Sequence, residues 1–138
     1  MIFRSLNEND YESFLVLINE FRETHFTKEQ FKTTLKNQNH VSIYVLQDVE
    51  NNKIIGAGTL LFETKFIHNI SLYSHIEDII IKKEYRGCGF GKDLIQNLIK
   101  VCIEKKCYKI LLDCEKNLES FYEKCGFQNK GSQMVIYL

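Results

Sequence analysis

The chain has 138 residues, 44% of them apolar and 12% aromatic, enough to close one hydrophobic core without calling for a second domain. Its 18 basic residues are matched by 18 acidic ones, so no bulk charge draws it toward nucleic acid or an anionic membrane. No apolar run approaches the roughly 20 residues of a membrane span, and the start lacks the basic and apolar regions of a secretion signal, so a cytoplasmic location is expected.

Ile2, Phe3, Arg4, Ser5 and Leu6 alternate as a first strand, and residues 7–10 supply turn and N-cap chemistry. Phe14, Leu15, Leu17, Ile18 and Phe21 then recur at helical spacing, predicting a helix over 11–22. Thr27, Lys28, Glu29 and Gln30 form a capping-box start for a second helix with Phe31 and Leu35 on its apolar edge. The connection at 23–26 is placed to overhang a ligand site. From Val41 the period becomes two: a strand, a polar turn at 48–52, and a return strand over 53–62 in which Gly56 and Gly58 mark bulges or close approaches. A third strand is expected at 75–82, a helix at 93–105, a buried strand at 108–114, a short helix at 118–125, and terminal strands at 126–127 and 133–138. This order makes an α/β protein with a mixed, mostly antiparallel sheet and helices on both faces.

The five cysteines are odd in number and show no Cys-x-x-Cys pair, so neither zinc nor a disulfide framework is expected, and no other metal site is evident. Cys102, Cys107 and Cys114 have apolar neighbours and read as small core residues.

Between the third strand and its helix lie Arg86, Gly87, Cys88, Gly89, Phe90, Gly91 and Lys92. Three glycines without Cβ atoms let consecutive backbone N–H groups converge, the following helix adds its positive end, and Arg86 and Lys92 flank the turn with charge. This is an anion cradle suited to a di- or triphosphate. A nucleoside-triphosphate loop would follow Gly-Lys with Ser or Thr, whereas Asp93 stands there; a dinucleotide fingerprint would be Gly-x-Gly-x-x-Gly in the first strand–helix turn. Neither fits.

The pattern Arg-x-x-Gly-x-Gly after a strand resembles the coenzyme A pyrophosphate loop of the GNAT acyltransferase superfamily. Three further segments resemble one branch of it, the glucosamine 6-phosphate N-acetyltransferases: Lys65-Phe66-Ile67-His68; His75-Ile76-Glu77-Asp78-Ile79; and Cys107-Tyr108-Lys109-Ile110-Leu111-Leu112-Asp113-Cys114, followed by Phe121-Tyr122-Glu123-Lys124-Cys125-Gly126-Phe127. The likeness spans about residues 62–134 and is loose before residue 60. It implies a GNAT fold over 1–138, with a central strand pair splayed around the pantetheine arm.

On the residues alone, Glu77 and Asp78 are adjacent strand carboxylates facing opposite sides, most simply a solvated pair. Asp113 reads equally well as a helix cap, and a Tyr in Phe-Tyr-x-x-x-Gly-Phe is ordinarily a core aromatic with a wet hydroxyl. The resemblance implies more. Glu77 becomes an acceptor-binding or water-relay residue, Asp78 orients the amine or a sugar hydroxyl, Asp113 contacts the amine, and Tyr122 protonates the departing thiolate. The amides of Ile79, Ile80 and Ile81 are expected to polarise the thioester carbonyl, and Lys65, Phe66, Ile67 and His68 to meet the sugar phosphate and hydroxyls. Acetyl-CoA is then a co-substrate, attacked directly by the amine.

The resemblance also implies a homodimer that exchanges its last strand, with residues of both subunits in the active site. Two positions depart from the family pattern. Tyr137 stands where an arginine grips the phosphate, leaving Arg22, Lys109 or a partner lysine to replace it, and Leu118 stands where an asparagine is usual, with Asn117 one place earlier. Acetylation of a polyamine or protein amine, and non-catalytic acyl-CoA binding, are the alternatives; the second has no need of Tyr122 and Glu77.

Overall fold

The computed structural model describes residues 1–138. Strand β1 (Ile2–Ser5) leads through a 3-10 turn (Glu8–Asp10) into α1 (Tyr11–Phe21) and α2 (Lys28–Asn37). The hairpin β2 (Val41–Asp48) and β3 (Lys53–Lys65) follows, then a single turn, α3 (Ile67–Ile70), β4 (Ser71–Ile81), α4 (Phe90–Glu104), β5 (Lys109–Leu112) and α5 (Glu119–Glu123).

Local chemistry sets the helix starts. Thr27 Oγ1 accepts from Gln30 N at 3.1 Å while Gln30 Oε1 accepts from Thr27 N at 2.8 Å, the reciprocal cap expected for α2. Ahead of α1, Asp10 accepts from Asn7 N and, through both carboxylate oxygens, from Arg4, each at 2.8 Å. This ties β1 to the helix entry with a two-pronged ion pair.

The five strands lie in the order β1-β2-β3-β4-β5, antiparallel except for the parallel pair β4/β5. Helices cover both faces. On one, Leu94, Ile95, Leu98 and Cys102 of α4 meet Ile55, Leu60 and Ile76, with Tyr122 of α5 in the same cluster. On the other, Phe14 and Leu17 of α1 and Phe31 of α2 meet Val45, Ile54, Ala57 and Ile80.

Several boundaries differ from the sequence expectation. Strands β3 and β4 run on to Lys65 and back to Ser71, and α4 begins at Phe90 rather than Asp93. Gly89, at φ +88°, is its N-cap, and the first helical N–H groups lack partners in any helix, so Gly91 costs little there. The terminal strands are absent: residues 128–138 have no regular structure, and Met134, Val135, Ile136, Tyr137 and Leu138 are exposed. A strand exists by pairing with a neighbour, and this segment finds none within its own chain. The pair β4/β5 therefore lies at the sheet edge. Cys114 is exposed rather than a core residue, because it follows β5 into the solvent-facing turn; Cys102 is buried and Cys107 half-buried as expected.

Candidate active site

The site begins with a break in β4. Thr59 pairs with Glu77 and Ala57 with Ile80, so Asp78 and Ile79 together oppose Gly58, and Asp78 takes φ +50°. This is a β-bulge. A Cβ at Gly58 would lie 2.6 Å from Ile79 Cδ1 and 2.8 Å from Leu98 Cδ1, so the close approach expected of this glycine is real. The strict alternation assumed for Glu77 and Asp78 is broken because Asp78 is itself the left-handed residue of the bulge.

Beyond the bulge the sheet opens. The β4/β5 ladder ends at Ile76 opposite Leu112, while β4 continues to Ile81, so the edges of Ile79, Ile80 and Ile81 that would face β5 have no strand beside them. The gap leads to the glycine loop. Gly87 (φ +77°) and Gly89 (φ +88°) are left-handed and open to solvent, and the amides of residues 87–92 donate to no protein acceptor. Those N–H groups and the start of the 15-residue helix α4 present a positive, hydrogen-bond-hungry surface. Lys92 is exposed beside it. Arg86 is exposed at the base of the loop, and its Nε donates to the Ile81 carbonyl at 2.8 Å, closing the end of β4.

Glu77, Asp78 and Asp113 come together at the fork. Burial first, and then the charges of Asp113 and Asp78, push the Glu77 carboxyl above its ordinary value, against a smaller opposing effect of His75. A half-buried carboxylate raised in this way is a better proton acceptor near neutral pH. Asp113 and Asp78 themselves are exposed.

Tyr122 is buried on α5, edge-on to Phe121 (5.0 Å between ring centroids) and Phe127 (6.1 Å). Burial, followed by the neighbouring Cys114 and Cys125, pushes its phenol upward, so it stays protonated and can act as a donor. With Leu112, Asp113, Cys114 and Phe127 it lines a cavity of about 380 Å³, whose other wall is the tail at 128–133. The tail's part in this wall was not foreseen, because its polar sequence carries no strand or helix period.

Lys65, Phe66, Ile67 and His68 are not brought to this fork. Lys65 pairs with Ser71 at the far end of β4, six residues from Glu77, or about 20 Å at ~3.3 Å per residue. Lys65 binds Glu63, His68 stacks on Tyr108 at 4.0 Å, and Lys109 Nζ lies 4.9 Å from the centre of the Tyr73 ring. His68, Asn69 and Ile70 all have positive φ, a strained turn that leaves Phe66, Ile67 and Ile70 exposed. Arg22 lies over Phe21, and Tyr137 is in the exposed tail.

Comparison with known proteins agrees with this geometry. The model of the acetyltransferase (GNAT) family matches residues 4–127. Glucosamine 6-phosphate N-acetyltransferase 1 of Dictyostelium discoideum is 40% identical over 99% of this chain and 90% of its own length, and the Candida albicans glucosamine 6-phosphate N-acetyltransferase is 34% identical over 96% and 93%. The crystal structure of glucosamine-6-phosphate N-acetyltransferase from Arabidopsis thaliana superimposes with a TM-score of 0.92 at 32% identity, covering 99% of this chain and 97% of that one.

Proposed function

This chain belongs to the acetyltransferase (GNAT) family, and from that premise we propose that it transfers the acetyl group of acetyl-CoA to the amine of glucosamine 6-phosphate. Members of the family use acetyl-CoA as co-substrate. The observation that carries the reading is the combination of unpaired amides at 87–92 with a sheet that forks between Ile76 and Ile81, next to a raised carboxyl and a buried phenol.

In this reading the amides of Gly87, Cys88, Gly89, Phe90, Gly91 and Lys92 hold the pyrophosphate, and those of Ile79, Ile80 and Ile81 align the pantetheine arm and polarise the thioester carbonyl. The sugar arrives largely as an ammonium ion, and only its free base attacks. Glu77 takes the proton, directly or through water, while Asp78 and Asp113 orient the amine. The nitrogen lone pair forms the new bond to the carbonyl carbon, the carbon–sulfur bond breaks, and Tyr122 donates its proton to the thiolate. The nitrogen, on becoming an amide, sheds its one remaining extra proton, which restores the Tyr122 phenol through solvent, and Glu77 releases the proton it took to bulk water.

The acceptor's phosphate needs a cation, and the nearest family-matched cations stand at the wrong end of β4. The proposal is therefore a homodimer in which Lys65, Phe66, Ile67 and His68 of one subunit serve the fork of the other. It is supported by exposed Phe66, Ile67 and Ile70 and by the unpaired apolar run 134–138, liabilities in a lone chain. The proposal extends to a cytoplasmic enzyme whose product feeds UDP-N-acetylglucosamine synthesis, a reading that the similarity to glucosamine 6-phosphate N-acetyltransferases supports.

Thiol release from acetyl-CoA, measured with glucosamine 6-phosphate, glucosamine, spermidine and a lysine peptide, tests the function. The expected result is highest kcat/KM for the sugar phosphate. Preference for any of the other three contradicts it.

A further inference from the structure

The crown of the loop is open: a Cβ at Gly87 or Gly89 would meet nothing within 4 Å, and packing resumes only at Phe90 and Gly91, where α4 begins. Its conformation is set at its base, the 3-10 turn Lys83–Tyr85 and Arg86. Lys83 N donates to Glu20 Oε2 of α1 at 2.8 Å, and Arg86 Nε reaches back to Ile81. Tyr85 makes a longer bridge. Its hydroxyl donates to Asp48 Oδ2 at the end of β2, at 3.2 Å, and its ring stands edge-on to Phe90, the first residue of α4, with centroids 6.0 Å apart.

Asp48 is a rigid acceptor. It is buried, and its carboxylate also takes hydrogen bonds from Glu50 N at 3.1 Å and Asn51 Nδ2 at 2.7 Å, which lock the β2–β3 turn. Burial, then the bond to Asp48, push the Tyr85 phenol upward, so it remains a donor throughout the neutral range. Tyr85 alone of the three base contacts links the sheet both to the turn before the loop and to the helix after it.

We propose that Tyr85, anchored on Asp48, is a positioning residue for acetyl-CoA: it holds the amides of 87–92 converged on the pyrophosphate by fixing the loop's two ends. The proposal rests on the reading of that loop as the coenzyme cradle. Losing the Tyr85 hydroxyl frees the base to rock, and the amides must then be reordered when the anion binds, a cost that falls on coenzyme affinity and not on the chemical step.

The test is Tyr85→Phe and Asp48→Asn, singly and together, with both KM values, kcat, thermal midpoint, and CoA Kd by calorimetry. Tyr85→Phe keeps the ring and its contact with Phe90, which protects folding. The expected result is a roughly five- to tenfold rise in acetyl-CoA KM and CoA Kd, with acceptor KM and kcat held. Adding Asp48→Asn should then raise CoA Kd little further, because the two residues share one bond. An unchanged CoA Kd in Tyr85→Phe, equal rises in both KM values, or fully additive effects overturn the proposal. Failure of the folded wild-type protein to bind CoA would sink the cradle reading itself, a result distinct from any of these.

Discussion

Ile76 and Ile79 stand three residues apart on β4, yet both pack on the α4 face of the sheet. A regular strand would put them on opposite faces. The bulge at Asp78 absorbs the extra residue, and with the same kink β4 leaves β5 and opens the fork where Glu77 and Asp113 meet. Packing of apolar side chains on one face and the geometry of the site on the edge thus have a single cause.

Gly58 is the residue that permits this. Gly58→Val would drive new carbon atoms into Ile79 and Leu98, so it is expected to cost about 1–3 kcal/mol in denaturant unfolding and to weaken CoA binding by displacing Ile79. Wild-type stability and CoA Kd in this variant would argue that the bulge is not held by that contact.

Gly89 has ample room but a left-handed backbone. Gly89→Val therefore carries strain of about 1–2 kcal/mol, relieved only by turning the amides away, and should raise CoA Kd about tenfold. Calorimetry reads this directly. Unaltered affinity would mean that the left-handed turn is not the binding conformation.

For Glu77 the sign is opposite to that of most carboxylates. Its native value lies above its unfolded one, so the ionised form is penalised in the fold, and stability falls as pH rises from the unfolded value through the native one. Glu77→Gln should therefore raise the thermal midpoint at pH 7, lose that advantage below about pH 4, and depress kcat/KM. The acid limb of the pH–rate profile should disappear with the carboxyl; its persistence would assign the base elsewhere.

The Tyr122 hydroxyl makes no protein hydrogen bond in the fold, its shift coming only from burial and neighbouring thiols. Tyr122→Phe thus leaves no orphaned partner and should retain stability and CoA affinity, while kcat drops about a hundredfold. Single-turnover kinetics would locate the loss in the transfer step. A variant as fast as wild type would remove the phenol from the mechanism.

Much of this arrangement is legible in the residues because the signals are local. The isoleucine run before Arg86, the three glycines and the periodic helix after them specify strand, turn and helix with no knowledge of the rest. The start of α4 is less legible, since Gly-Phe-Gly looks like a breaker until Gly89 is seen as a left-handed cap. The fork itself depends on register: nothing local to Asp78 says that it shares Gly58 with Ile79. Residues 133–138 alternate like a strand, but alternation states only what a segment would do beside a partner. The remoteness of Lys65 and His68 from Glu77 is likewise a matter of strand direction, which short motifs do not encode.

In the proposed mechanism everything follows from backbone amides of the glycine turn receiving the coenzyme's pyrophosphate. Titrating the ¹⁵N-labelled chain with CoA and following amide resonances measures this most directly. The amides of Gly87, Cys88, Gly89, Gly91 and Lys92 are expected to shift downfield in step with saturation and to gain protection from exchange. Saturation of CoA binding with those resonances unmoved, and others shifted, would contradict it.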